Sequence, residues 1–85
     1  MQSKSPIALV TGSSQGIGAA TAVALAKQGY DVGVHYHSNK TAANKVKQTI
    51  EALDQQAICL QADLRSESDI TSLFSELDKR LGQLS

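Results

Sequence analysis

The segment Thr11-Gly12-Ser13-Ser14-Gln15-Gly16-Ile17-Gly18 constrains this chain more than any other. It follows the apolar run Ile7-Ala8-Leu9-Val10 and precedes the alanine-rich stretch Ala19 to Gln28. Three glycines therefore fall where a strand hands over to a helix. Ile7 to Val10 has no polar alternation, which predicts a strand buried on both faces. Ile17, Ala20, Ala24 and Gln28 recur at helical spacing and mark one face of the helix that follows. Gly29 stands where a helix C-terminus wants a residue tolerant of positive φ.

The rest of the chain repeats the alternation. A second strand is expected over Asp31 to Tyr36, centred on Val32 and Val34, followed by the polar loop His37-Ser38-Asn39. A second helix of about Lys40 to Leu53 carries the core stripe Ala43, Val46, Ile50 and Leu53. Ala57 to Gln61 reads as a third strand. Ser66-Glu67-Ser68-Asp69 resembles a capping box, with Asp in place of the preferred Glu or Gln. It opens a third helix with Ile70, Leu73, Phe74, Leu77 and Leu81 on its apolar face and Gly82 at its end. There is no internal repeat or linker. The order β-α-β-α-β-α predicts an α/β fold with a parallel sheet and helices packed on it.

Length and composition bound the function. Eighty-five residues permit one small domain, spanning 1–85. Eight Lys and Arg balance eight Asp and Glu, so neither nucleic acid nor a membrane surface is expected as a partner. The four apolar residues Ile7 to Val10 are too few for a signal peptide or a membrane span. The single cysteine, Cys59, excludes an internal disulfide and a multi-cysteine metal site. A soluble protein of the cytoplasm is the expectation. Cys59 is expected to be a small inert core residue, and His35 and His37 surface or packing residues rather than metal ligands, because no third ligand has a convincing spacing.

The glycine segment has a specific chemistry. One glycine lets the chain turn off the strand, another lets backbone approach an anion without a Cβ in the way, and a third lets the helix pack tightly on the sheet. Unpaired amides and the positive end of the helix dipole then face the anion. The spacing G-x-x-x-G-x-G is neither the general G-x-G-x-x-G nor a P-loop, since no Gly-Lys-Ser/Thr follows. The bland alternative is a turn that needs glycine and holds nothing.

Thr11-Gly12-x-x-x-Gly16-Ile17-Gly18 resembles the cofactor signature of the short-chain dehydrogenase/reductase family. The resemblance extends over the alanine-rich helix ending in Gly29, the second strand, and Ala62-Asp63-Leu64 after the third. It implies a Rossmann-type doubly wound sheet, of which this chain is the N-terminal half. It also implies that Gly12, Ser14, Gln15, Gly16, Ile17 and Gly18 line the phosphates and adjoining ribose of a dinucleotide. Asp63 and Leu64 would border the adenine.

The cofactor choice is expected to be NADP, with NAD possible. In dinucleotide folds a carboxylate near the end of the second strand binds the ribose 2′-OH of NAD. No acid lies between Asp31 and Glu51, and Asp31 is at the wrong end of its strand to touch a ribose. Tyr36, His37, Ser38 and Asn39, with Lys40 after them, occupy the place instead and supply donors suited to a 2′-phosphate. Asn39 or Thr41 would also cap the second helix.

The family's catalytic Ser, Tyr-x-x-x-Lys and supporting Asn have no counterpart here, so no catalytic residue is assigned. Tyr36 and Lys40 match the Tyr-x-x-x-Lys spacing but belong beside the adenine ribose, far from a nicotinamide. Gly82-Gln83-Leu84-Ser85 stands where relatives lead into a fourth strand. Without that strand Ile7 to Val10 would present an open apolar edge, and the polypeptide alone is expected to be marginal or self-associating. The resemblance implies hydride transfer on a small carbonyl or alcohol substrate, of 3-ketoacyl type among the options, by a longer homo-oligomeric protein. The alternative is a non-catalytic nucleotide-binding module.

Overall fold

The computed structural model describes residues 5–82. Its elements are β1 (Ile7–Val10), α1 (Gly16–Lys27), β2 (Asp31–Tyr36), α2 (Lys40–Glu51), β3 (Ala57–Gln61) and α3 (Glu67–Arg80). Both strand pairs are parallel and the order is β1-β2-β3, with Val34 set between Val10 and Cys59. Parallel neighbours need long crossovers, and α1 and α2 supply them. This is one side of a doubly wound sheet. Met1 to Lys4 and the Gln83-Leu84-Ser85 tail, expected to lead into a fourth strand, lie outside the described residues.

The two faces of β2 sort the core. Val32, Val34 and Tyr36 meet Ala22 and Ala26 of α1 and Ala43, Val46 and Ile50 of α2. On the opposite face Ile7, Ile58, Leu60 and Ala62 pack with Leu73 and Leu77 of α3. Gly33 belongs to that second face. A Cβ there would come within 2.7 Å of Leu77 Cδ1 and 3.3 Å of Leu9 Cδ1, so α3 rests where the side chain is missing. The start of the sheet is tied by Asp31, whose Oδ1 accepts from the Gln56 amide at 2.8 Å and from Gln55 Nε2 at 2.9 Å. Gln55 Nε2 also donates to the Gly29 carbonyl, at 2.9 Å.

Several expectations need correction. Ile17, Ala20, Ala24 and Gln28 form the solvent side of α1, not its packed side; Ala22 and Ala26 are buried, with Ala19 and Val23 packed beside them. Alanine occurs all round this helix, so spacing could not choose a face. β1 is buried at Ile7 only, and Ala8, Leu9 and Val10 are half-buried, because β1 is an edge strand among the described residues. α2 ends at Glu51, leaving Leu53 half-buried just past it. Phe74 is exposed, and Leu73 and Leu77 alone on α3 are fully buried. Cys59 is half-buried, its Sγ 3.5 Å from Asn44 Oδ1, and burial pushes its thiol pKa up.

Candidate functional site

The loops after β1, β2 and β3 gather at the C-terminal ends of the parallel strands, where open α/β sheets hold ligands. The first is the glycine segment. Gly12 and Gly16 have φ of 60° and 57°, the left-handed region, and a Cβ on either would meet nothing within 4 Å. Space beside the loop is therefore open. Gly18 is the opposite case: a Cβ there would run into the Gly12 carbonyl oxygen, with Gly12 C at 2.8 Å and Ser13 Cα at 2.9 Å. Glycine at 18 lets α1 begin directly against the loop.

The start of α1 differs from those of the other helices. Asn39 caps α2 by accepting the Ala42 amide at 3.0 Å. Ser66 caps α3 by accepting the Asp69 amide at 3.2 Å, and Glu67 and Asp69 place negative charge in its first turn. Gln15, at the head of α1, makes no side-chain capping bond, and the first turn holds no acid. The leading amides of a helix need partners, and here no side-chain cap supplies one. Ile17, 87% exposed, projects beside them.

His35 holds the loop from below, and sequence reasoning missed it. It is buried, and its Nδ1 accepts the Gly12 amide at 2.8 Å. Its Nε2 lies 2.9 Å from the Ala62 carbonyl oxygen. The carbonyl can only accept and the Gly12 amide can only donate, so the neutral tautomer with hydrogen on Nε2 satisfies both. Ser13, fully buried, donates its amide to the His35 carbonyl at 2.9 Å and its Oγ to the same oxygen at 3.3 Å. The available signal was a polar residue on the strand face that also carries Gly33.

At the end of β2 the expected group divides. Tyr36 lies in the core with Val34 and Val46, because its side chain follows the face of Val32 and Val34. It is not among the open residues. His37, Ser38 and Asn39 are exposed. Tyr36 ends β2 and Lys40 opens α2, so the Tyr-x-x-x-Lys match shares no helix turn.

After β3, Asp63 and exposed Leu64 face the same end. Asp63 Oδ1 accepts from the Arg65 amide at 2.9 Å and Nε at 3.1 Å, and Oδ2 accepts from the second guanidinium nitrogen at 3.0 Å. His37 Nε2 stands 3.9 Å from the same Oδ2. Arg65 was not anticipated; a basic residue two positions after an acid was its signal. Asp69 does not complete the capping box, because its carboxylate accepts the Asp63 amide at 2.9 Å instead. His37, Gln61, Asp63, Asp69 and Ser72 line a polar concavity of about 270 Å³. A larger apolar groove between α1 and α2, about 480 Å³, includes none of the expected site residues.

The Arg65 side-chain bonds, then its amide, hold the Asp63 carboxyl down to about 2 from an ordinary 3.8. A lowered acid stabilises the fold only while ionised, so this contact persists above pH 4 and fades as pH falls toward 2. The Asp63 carboxyl carbon should show no NMR inflection near pH 4 in the native protein, and Arg65→Ala should bring the inflection up. A native inflection near 3.8 would contradict the pairing.

A family model described as short chain dehydrogenase matches residues 6–85. The hydroxynaphthalene reductase of Aspergillus fumigatus is 40% identical over 78 residues, 92% of this chain and 29% of the relative. The crystal structure of acetoin dehydrogenase from Enterobacter cloacae superposes with a TM-score of 0.91 at 32% identity, over 99% of this chain and 33% of that one. A Burkholderia cenocepacia protein described as a dehydrogenase, with bound NADP, gives a TM-score of 0.90 at 26% identity, over 95% of this chain and 32% of that one. The chain thus spans about a third of the length of the proteins it matches.

Proposed function

The chain belongs to the short-chain dehydrogenase family, and from that premise we propose that its strand ends bind the adenosine and pyrophosphate portions of NADP. The observation that carries the reading is the uncapped start of α1. Gly12 and Ser13 have spent their amides on His35. The anion is therefore held by the loop's later amides, from Ser14 to Gly18, with the helix dipole behind them. Open space beside Gly12 and Gly16 fits a pyrophosphate lying close to backbone.

Around that anchor, Ser14 and Gln15 supply polar side chains, and Ile17 covers the adjoining ribose. His37, Ser38 and Asn39 face the adenosine ribose and its 2′-phosphate. Asp63 and Leu64 form the adenine wall. Asp63 Oδ2 keeps a free lone pair for the exocyclic amine after its bond to Arg65. Tyr36, buried in the core, would act from behind this wall.

The nicotinamide would supply the hydride chemistry when bound; these residues hold the adenosine and pyrophosphate end of the same molecule. The longer protein then interconverts a small carbonyl and its alcohol, with keto reduction the favoured direction and 3-ketoacyl thioesters a candidate class. Its setting is the cytoplasm and its assembly a homo-oligomer. The test is a fluorescence titration of the full-length protein with NADPH and NADH. Tighter binding of NADPH is expected. Equal affinities would overturn the NADP preference, and no binding of either would overturn the site.

A further inference from the structure

We infer that His35 is a positioning residue of the dinucleotide site, joining the pyrophosphate loop and the adenine wall into one rigid unit. The inference rests on the proposed NADP reading.

The geometry is a short chain of bonds between segments distant in sequence. Gly12 donates to His35 Nδ1, His35 Nε2 donates to the Ala62 carbonyl, and Ala62 returns its own amide to the Tyr36 carbonyl at 3.2 Å. The next residue is Asp63, fixed in turn by Asp69. The imidazole is 4% exposed, on the sheet face that packs Ile7, Ile58 and Leu60 against α3. Packing alone at such a place would be met by a hydrocarbon side chain. What a hydrocarbon cannot do is accept from Gly12 and donate to Ala62 at once. Either backbone group left buried without a partner favours another loop position. The ring also directs Gly12's amide inward, away from the phosphates, and so leaves the anion to the residues after Ser13.

The two bonds can be separated. An Asn amide places a polar atom where Nδ1 stands, and a Gln amide reaches the place of Nε2. In the full-length protein, His35→Leu, which removes both bonds, is expected to weaken NADPH about 10-fold or more. His35→Asn, which can still accept from Gly12 but releases Ala62, should also weaken NADPH, because the loop then loses its tie to the adenine wall. His35→Gln, which keeps Ala62 and releases Gly12, should resemble His35→Leu. Adenosine 2′-monophosphate, which has no pyrophosphate, should bind all three variants as it binds wild type.

The inference is overturned if His35→Asn or His35→Gln binds NADPH as wild type does, if His35→Leu keeps wild-type NADPH affinity, or if adenosine 2′-monophosphate weakens in step with NADPH. Where His35→Leu does not fold, the Asn and Gln variants decide. Failure of wild-type protein to bind NADPH would instead remove the underlying functional reading.

Discussion

Gly18→Ala is expected to destabilise the protein by about 3 kcal/mol or more and to abolish dinucleotide binding, although it adds one methyl group. The methyl would run into the Gly12 carbonyl oxygen and crowd Gly12 C and Ser13 Cα, all of them backbone. A flexible side chain could swing aside; this loop cannot. Gly12 and Ser13 are held by His35, and Ser13 is fully buried. Relief must come from lifting the first turn of α1 away from β1, which also moves the amides that would face the phosphates. Gly12→Ala is the control within the same motif. Its Cβ meets nothing within 4 Å, and its cost is the left-handed backbone alone, about 1–2 kcal/mol. Denaturant midpoints of the two variants in the full-length protein should differ accordingly. A Gly18→Ala variant as stable as Gly12→Ala would show that α1 does not rest on the loop as described.

Those two glycines also mark how far the sequence could be read. Strand limits were legible because β2 and β3 are apolar runs closed by turn residues, and the observed Asp31–Tyr36 and Ala57–Gln61 match the expected spans. Helix caps were legible for a similar local reason: Asn39 and Ser66 are polar oxygens one step before a periodic stretch. The packed face of α1 was not, since alanine on every side leaves nothing for spacing to distinguish. Tertiary contact chose Ala22 and Ala26. His35 was hidden because its role is set by Gly12 and Ala62, 23 and 27 residues away, and no local pattern encodes such pairs. Asp69 shows the same limit from the other side. Its spacing fits a capping box, yet the Asp63 amide lies within reach and takes the carboxylate.

Ser38→Asp is expected to reverse the proposed cofactor preference without unfolding the protein. Ser38 is exposed and lies just before Asn39, the residue that caps α2. A carboxylate at that helix end is favoured by the dipole, so the native state should tolerate it. A 2′-phosphate in the same place would meet a like charge. At ~6 Å and an effective dielectric of about 40, one carboxylate against a phosphate of about −1.5 gives about 2 kcal/mol, roughly a 30-fold loss for NADPH. NADH should hold or improve, because the new carboxylate can accept from a free ribose 2′-OH. Charge repulsion of this kind is screened by salt. The NADPH penalty should therefore shrink between low and high ionic strength, whereas a steric effect would not. Equal weakening of both cofactors would place the 2′ position away from Ser38 and would leave His37 and Asn39 as the groups that meet the ribose.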